Sequence, residues 1–334
     1  MVGGGVLKKT NKGVSQMVSF FSLFLLYFLL RYYIYIYMNM NIQRKSTKKG
    51  DRWFFLKNDK IISPFHNLEN DFYEENGKLF VNMIVEIPKN TKRKMEISID
   101  EKNNPIKQDT KKNKLRFVAE RKNRPTRKQN SKYYTIMNKI WKDKEGYNLF
   151  SYGAIPKTYE NPKISIEEYK KNDFYDDLLK VKIDNETTLD DNDNKVNLKN
   201  YLINKNLIIN NKLNPKNIYG DGDPLDIFLV HANNIKFKIG SFIKVEILGI
   251  IPMIDDGELD WKVLAKLPDD NKIYNNKIKT YINWFKYYKG KYDNKSKLFN
   301  RQNIIFGNNG NIMNKNIAKI VIDNCIEQYT QSFL

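Results

Sequence analysis

Residues 219–228 read Tyr-Gly-Asp-Gly-Asp-Pro-Leu-Asp-Ile-Phe and place Asp221, Asp223 and Asp226 within six positions. Glycine and proline restrict the acidic part to a turn, and the apolar run from Leu225 to Val230 is typical of a strand that ends in a core. Carboxylates this close raise one another's pKa unless water or a divalent cation stabilises their charge. The stretch therefore predicts either an oxygen-ligand site suited to Mg²⁺ or a solvated acidic turn.

The aspartate spacing also occurs in EF-hand calcium loops, but the other requirements of that loop are not met. A loop beginning at Asp221 would need glycine at its sixth position and glutamate at its twelfth. The chain has Asp226 and Ala232 at those positions. An EF-hand is therefore excluded.

A second acidic string, Ile254 to Leu264, alternates as a strand does. Residues two apart in a strand share a face, so Asp260 and Lys262 are predicted to lie together while Trp261 and Val263 are buried on the other face. The pattern indicates either a wall of the cation site or a plain surface salt bridge.

Two upstream strings add further charged residues at strand spacing. Residues 85–98 predict Lys94 and Glu96 on one face, although ordinary solvated residues give the same pattern. Residues 108–117 predict a strand in which Arg116 is the polar position of a buried ladder. A guanidinium there can hold phosphate oxygens with two parallel hydrogen bonds.

Taken together, these strings resemble the soluble family I inorganic pyrophosphatases of the eukaryotic type. The string from Asp221 to Asp226 has the form D-x-D-P-x-D, which is similar to the signature of that family. The other matching blocks occur in the family's order and are residues 85–97, 104–118, 152–162, 248–265 and 284–289.

The resemblance implies Mg²⁺-dependent hydrolysis of pyrophosphate to two orthophosphates and suggests a role for each matching residue. Asp223 aligns with the proposed general base, and Glu86 with a supporting acid. The positions that align with metal ligands are Asp221, Asp226, Asp260, Asp255 and Glu96. The positions that align with groups holding phosphate oxygens are Lys94, Arg116, Tyr152, Lys262, Tyr288 and Lys289.

A cavity tyrosine of the family aligns with Tyr147, although its spacing departs from the family pattern. The pair Gly146-Tyr147 lies one residue farther from Tyr152 than expected, and a slipped register would place Phe150 nearby. The chemistry itself needs positioning and charge neutralisation more than covalent work, which agrees with many charged residues drawn from separate strands.

The alternating strings between residues 78 and 265, with helical patterns only at 278–289 and 314–329, predict a mainly β chain with flanking α-helices (α+β). The resemblance implies a closed five-stranded OB-like barrel with helices packed outside. We expect one catalytic domain at residues 45–334, interrupted by low-complexity insertions at about 119–145 and 164–218. Both insertions are interpreted as partly disordered surface excursions.

Residues 1–44 combine a basic flank with an apolar run at 17–30. This pattern is typical of a signal anchor, and the repeated Tyr-Ile and Met-Asn pairs equally indicate a gene-model artefact. We expect a cytoplasmic protein, with the secretory pathway or an organelle as the alternative, and membrane contact only if this segment is real. The single cysteine, Cys325, excludes an intrachain disulfide and is predicted to lie in a helix core.

The formal net charge is +20, but many of the lysines lie in the Asn- and Lys-rich stretches. No nucleic-acid partner is therefore expected. A homodimer is implied by resemblance, with contacts predicted from Trp53, Phe54, Phe55 and residues 63–66. Two other functions stay open: an inactive pyrophosphatase-like binding protein, and a basic nucleic-acid or membrane-surface binder.

Overall fold

The computed structural model describes residues 40–47, 50–111, 113–118, 150–181, 188–191, 194–231, 235–268, 270–271, 275–287 and 303–334. Its strands are β1 (Met40–Thr47), β2 (Gly50–Lys57), β3 (Lys60–Ile62), β4 (Tyr73–Glu75), β5 (Lys78–Ile87), β6 (Met95–Ile97), β7 (Ile106–Gln108), β8 (Thr110–Lys111), β9 (Lys114–Leu115), β10 (Ser151–Ala154), β11 (Thr188–Asp191), β12 (Asn194–Asn197), β13 (Ile208–Ile209), β14 (Lys212–Leu213), β15 (Asp226–Val230), β16 (Phe242–Ile251), β17 (Met253–Asp255), β18 (Glu258–Leu259), β19 (Lys262–Lys266), β20 (Ile304–Ile305) and β21 (Met313–Asn314). Its α-helices are α1 (Tyr175–Leu178), α2 (Leu198–Asn204), α3 (Asn275–Tyr287) and α4 (Lys315–Phe333), and 3-10 helices occupy Ile166–Lys171, Pro215–Asn217 and Asn308–Gly310.

Five strands close into a barrel in the order β5, β16, β19, β15 and β10, because β5 pairs with both β10 and β16. The pairing is antiparallel except between β15 and β19, which run parallel. Nine of the ten residues of β5 are buried, as expected for a strand covered on both faces. The predicted mainly β fold with a closed five-stranded barrel is confirmed.

The two faces of the barrel wall pack into separate apolar clusters. Val263 belongs to the first cluster, together with α4, while its neighbour Leu264 belongs to the second, together with α3. Both helices match the predicted helical patterns within the described residues. Cys325 on α4 is 1% exposed, which confirms its predicted core position.

The string from Ile254 to Leu264 is not one strand but a hairpin followed by β19. Asp256 (φ 55°) and Gly257 (φ 102°) form a left-handed turn between β17 and β18. Asp-Gly is a frequent choice for such turns because both positions require positive φ. The apolar-polar alternation holds only from Leu259 to Val263, and the Asp-Asp-Gly-Glu run before it marks the turn.

The buried ladder predicted around Arg116 is wrong. Its neighbours Leu115 and Phe117 are 44% and 42% exposed. β8 and β9 form a short, separate hairpin that lies outside the barrel wall. The alternation is therefore present, but its apolar side chains are exposed within the part of the chain that the structure describes.

Residues 164–218 differ from the expected surface excursion, because several of their described side chains lie in the core. Their buried side chains enter the same cluster as the barrel and α4. These side chains are Ile166, Tyr169, Leu178, Leu198, Leu202, Leu207, Ile208, Leu213 and Ile218. The other expected insertion, residues 119–145, lies outside the described residues.

Two residues of the predicted dimer contact are not accessible at the surface. Phe55 and Phe65 are fully buried in the second cluster of their own chain, so neither ring has surface to offer a second copy. Most of the N-terminal segment, residues 1–39, lies outside the described residues. In the part of the chain that is described, no helix has both the length and the apolar character needed to cross a membrane.

Candidate active site

The acidic turn, residues 220–225, is fixed by hydrogen bonds to the segment that follows β10. Leu225 N donates to the buried Thr158 Oγ1 (3.0 Å), and Gly222 N donates to Glu160 O (2.8 Å). Glu160 N in turn donates to the carbonyl oxygen of Asp223 (3.0 Å). The carboxylates of the turn are therefore held by the fold itself and not by a free loop.

Lys262 is the centre of a buried charge cluster at the ends of β15 and β19. The parallel register places it beside Asp226. Its Nζ contacts the carboxylates of both Asp226 and Asp260, and the hydroxyl of Tyr152 donates to Asp226. Asp260 and Lys262 thus share a face as predicted, while Trp261 is fully buried on the other side.

The charges of this cluster stabilise one another. Burial opposes the positive charge of Lys262, but Asp226 and Asp260 outweigh it and raise the Lys262 pKa well above its ordinary value. Burial, followed by the charge of Asp226, raises the pKa of the Tyr152 hydroxyl. Tyr152 therefore remains a hydrogen-bond donor throughout the physiological pH range.

An acidic pocket lies directly beside this cluster. One carboxylate oxygen from each of Glu160, Asp221 and Asp260 lies within 4.8 Å of the others. Glu160 Oε1 accepts a hydrogen bond from Trp261 N (3.0 Å), whereas Glu160 Oε2 is buried and has no hydrogen-bond partner among the described residues. A buried, unsatisfied carboxylate oxygen beside two other acids is a suitable ligand for a cation.

The pKa values of the pocket acids show that their negative charges are unfavourable without a cation. Burial raises the pKa of Asp221 well above its ordinary value, and the charges of Asp260 and Asp223 raise it further. Burial and the nearby Asp226 raise the pKa of Asp260 to about 7, against the opposing effect of Lys262. Because all the donors are carboxylate oxygens, the residues fit a hard divalent cation such as Mg²⁺, which would reverse these shifts.

Asp223 occupies the mouth of the pocket. Its side chain is exposed, its backbone N donates to Asp221 Oδ1 (2.9 Å), and it forms no ion pair within the described part of the chain. Enclosure by the cleft walls and then the charges of Glu96 and Asp226 raise its pKa to about 7. Asp223 is thus an acid that bulk water can reach.

A second charged group faces the same cleft. Lys94 Nζ contacts Glu96 Oε2 (2.8 Å) and Asp109 Oδ2 (2.9 Å), and Arg116 donates to the same oxygen of Asp109. Burial raises the pKa of Asp109, but Lys94 and Arg116 outweigh it, so the net shift is downward. Asp109 therefore remains ionised and holds both cations in place.

Two further predicted acids border the cleft. Glu86 is 4% exposed and accepts a hydrogen bond from Ile97 N (2.6 Å), which ties β5 to β6. Burial and then Asp226 raise the pKa of Glu86 well above its ordinary value. Asp255, at the end of β17, contributes to the raised pKa of Asp260 and so lies within electrostatic reach of the pocket.

Most of the site residues predicted from the sequence are therefore brought to one cleft. Three of them, Tyr147, Tyr288 and Lys289, lie outside the described residues. Phe150, which a slipped register would place in the cavity, is fully buried and stacks on Phe285 at a centroid distance of 5.3 Å.

Sequence reasoning missed Glu160 and Asp109. Glu160 lies inside the matching block 152–162, but it is distant in sequence from the other acids and no spacing connects them. Asp109 lies inside block 104–118, seven residues before Arg116. Its polar neighbours gave no sign that it would pair with two cations.

Comparisons with known proteins identify the family of this chain. A model of the inorganic pyrophosphatase family matches residues 83–330, more than half of the chain. An inorganic pyrophosphatase of Drosophila melanogaster is 27% identical over 302 residues, covering 86% of this chain and 65% of that protein. One from Candida albicans is 29% identical over 288 residues, covering 82% of this chain and 72% of that protein.

Solved structures give the same result. The inorganic pyrophosphatase of Schistosoma japonicum superposes with a TM-score of 0.54 at 26% identity, covering 87% of this chain and 80% of that chain. A type I inorganic pyrophosphatase from Toxoplasma gondii shares the fold, with a TM-score of 0.56 at 24% identity and coverage of 87% and 98%. The chain therefore belongs to the inorganic pyrophosphatase family, whose members are hydrolases of the phosphoanhydride bond.

Proposed function

We propose that this chain hydrolyses inorganic pyrophosphate to two orthophosphates in a Mg²⁺-dependent reaction with Asp223 as the general base. The observation that carries the proposal is that one cleft contains both an acidic pocket suited to a cation and separate lysine and arginine side chains. A phosphoanhydride with its metal ions needs both kinds of group.

The acids of the site fall into two groups, those in the pocket and those at its rim. Asp221, Asp226 and Asp260 would hold the activating Mg²⁺, with Glu160 beside them. At the rim, Glu96 would contact a metal through water and Asp255 would bind one that arrives with the substrate. When bound, Mg²⁺ neutralises phosphate charge and lowers the pKa of water.

The cations and hydroxyls of the chain bind and orient the substrate. Lys94, Arg116, Tyr152 and Lys262 donate to phosphate oxygens, and from the sequence Tyr288, Lys289 and Tyr147 join this set. Asp109 holds the Lys94 and Arg116 heads in place before substrate arrives. Preorganised donors of this kind cost little reorganisation during the reaction.

Asp223 accepts the proton of the attacking water at a side-chain oxygen. It is suited to this role because its carboxylate is exposed at the cleft mouth, whereas Asp226 and Asp260 are both paired with Lys262. Glu86 supports the cleft wall through its bond to Ile97 N.

The experiment is phosphate release from pyrophosphate by the full chain with Mg²⁺, then with chelator, beside the double variant Asp221→Asn/Asp226→Asn. We expect release that needs Mg²⁺ and is lost in the variant. A folded, Mg²⁺-binding protein that releases no phosphate would refute the proposal.

Family resemblance also supports a homodimer in the cytoplasm. Sedimentation of the full chain measures the oligomeric state, and cell fractionation measures the location. A monomer, or a membrane-bound pool, would contradict these two expectations.

A further inference from the structure

Residues 164–218 begin and end directly beneath the acidic turn. Ile166 N donates to Ile218 O (2.9 Å), and Ser165 pairs with Tyr219 as an isolated bridge. Tyr219 O then accepts a hydrogen bond from Leu259 N of β18 (2.7 Å). The two ends of the segment are therefore joined to each other and to the hairpin that precedes Asp260.

Tyr169 carries the contact from this segment to the site. It is 2% exposed, and its ring meets Trp261 edge to face at a centroid distance of 5.7 Å. Its hydroxyl donates to Asn324 Oδ1 on α4 (3.1 Å). Trp261 lies between Asp260 and Lys262 in the chain, so a shift of this indole moves both charged neighbours.

Leu207 makes a second, separate contact. A Cβ atom added at Gly257 would lie 3.7 Å from Leu207 Cδ1, so this side chain packs against the turn of the β17–β18 hairpin. Leu207 is itself fixed, because its N donates to Leu202 O and its O accepts from Asn214 N (both 2.8 Å). Leu207 thus stabilises the β17–β18 hairpin, which carries Asp255, by packing against its turn.

We propose that residues 164–218 are a structural support for the cation-binding acids, and that Tyr169 is a positioning residue that sets Asp260 and Lys262 through Trp261. The inference rests on the proposed function, since it assigns the segment to the site where Mg²⁺ would bind. Neither Tyr169 nor Leu207 touches the cleft, so neither is a catalytic residue.

The test compares Tyr169→Leu with Tyr169→Phe and with Leu79→Ala. Tyr169→Phe keeps the ring and loses only the hydroxyl, whereas Leu79→Ala removes a residue of β5 that is 2% exposed in the same cluster but belongs neither to residues 164–218 nor to the hairpin. Mg²⁺ affinity is measured by calorimetry without pyrophosphate, and hydrogen exchange is followed in peptides spanning residues 253–264.

Loss of one aromatic pair predicts that Tyr169→Leu weakens Mg²⁺ binding about two- to tenfold and speeds exchange in residues 253–264. Tyr169→Phe should change both measurements less than Tyr169→Leu does, because it keeps the ring against Trp261 and loses only the hydroxyl, which bonds Asn324 and lies near the Trp261 side chain. Leu79→Ala should lower Tm while leaving Mg²⁺ affinity and the exchange of these residues unchanged. Equal weakening in Leu79→Ala and Tyr169→Leu, or unchanged values in a folded Tyr169→Leu, would overturn the proposal.

If Tyr169→Leu does not fold, Leu207→Ala replaces it, because Leu207 packs against the hairpin turn. We expect faster hydrogen exchange at residues 253–259 in this variant. Unchanged exchange would contradict the proposal. The measurements need no turnover. A wild-type chain that binds Mg²⁺ but does not hydrolyse pyrophosphate would refute the proposed function alone, and the affinity comparison would still decide the role of Tyr169.

Discussion

Lys262 neutralises the buried carboxylate of Asp260 and the half-buried carboxylate of Asp226, and is itself 3% exposed. Taking such charges out of water is costly, and only their mutual attraction offsets the cost. Removing one partner therefore leaves an uncompensated charge in the core. The residues proposed to bind metal and substrate are also residues on which the fold depends.

We therefore expect Lys262→Ala to lower the free energy of unfolding by about 3–5 kcal/mol without metal. Added Mg²⁺ should restore part of this loss, because it supplies positive charge to the same acids. Urea unfolding with Mg²⁺ and with chelator measures both effects. The matched control is Lys266→Ala, which removes a lysine of the same strand that pairs with Glu246 (3.2 Å); an equal response of both variants to Mg²⁺ would contradict the expectation.

Asp223 is the opposite case, since it is exposed and outside the ion-pair cluster in the described structure. Asp223→Ala should reduce kcat about 10²- to 10⁴-fold, as expected for loss of a general base, with Tm close to the wild type. Phosphate release and thermal unfolding provide the two readouts. Asp173→Asn, a change of another exposed acid, should alter neither. Wild-type turnover in Asp223→Ala would remove Asp223 from the mechanism.

At the scale of elements, the acids come together because loops and hairpins, more than strands, set their positions. Alternation correctly predicted that Asp260 and Lys262 share a face, but it did not predict the hairpin that ends at Leu259. Glu160 was missed because a contact between separate segments has no spacing in the sequence. Local periodicity reports which face a side chain takes and not which segment lies opposite it.

The close packing of the acidic turn against Glu160 predicts the effect of a substitution at Gly220. A Cβ atom at Gly220 would lie 2.3 Å from Glu160 O, and backbone cannot yield as a flexible side chain does. Gly220→Ala should therefore separate the turn from Glu160, lower stability by about 1–3 kcal/mol and weaken Mg²⁺ binding. Gly77→Ala is the control for backbone strain away from the turn: its φ of 70° disfavours alanine, but nothing lies within 4 Å of the added Cβ, so it should lower Tm and leave Mg²⁺ affinity unchanged. Thermal unfolding and Mg²⁺ calorimetry test the pair, and a Gly220→Ala protein with native Mg²⁺ affinity would refute the role of this docking.

At the scale of the whole molecule, the family resemblance predicted the closed barrel, while the burial of residues 164–218 escaped the sequence analysis. Asn and Lys dominate that stretch, and they conceal apolar residues such as Tyr169 and Leu202 that reach the common core. Composition averages over a segment, but burial is decided by single positions. One face of the barrel wall, α4 and the described core residues of this segment form one apolar cluster. Stability and cation binding are coupled at the buried acids, whose charge a bound cation would neutralise.

This coupling predicts how stability responds to pH and Mg²⁺. Asp223 and Asp260 have folded-state pKa values raised to about 7, and those of Asp221 and Glu160 are raised well above their ordinary values. The folded chain therefore binds more protons at these acids than the unfolded chain does. When no metal is bound, the contribution of Asp223 and Asp260 to stability is fully present below about pH 4 and is lost as pH rises through about 7. The contribution of Asp221 and Glu160 is lost in the same direction as pH rises.

Mg²⁺ replaces these protons, so the increase in Tm that it causes should be larger at pH 8 than at pH 5. Thermal unfolding with Mg²⁺ and with chelator at both pH values measures the difference. In Asp221→Asn/Asp226→Asn the increase in Tm caused by Mg²⁺ should be small at either pH, because two of the carboxylates that would bind the cation are gone. A Mg²⁺-induced shift of the same size at pH 5 and pH 8 in the wild type would show that the cation binds elsewhere, since ligands that must first lose protons cannot give a pH-independent response.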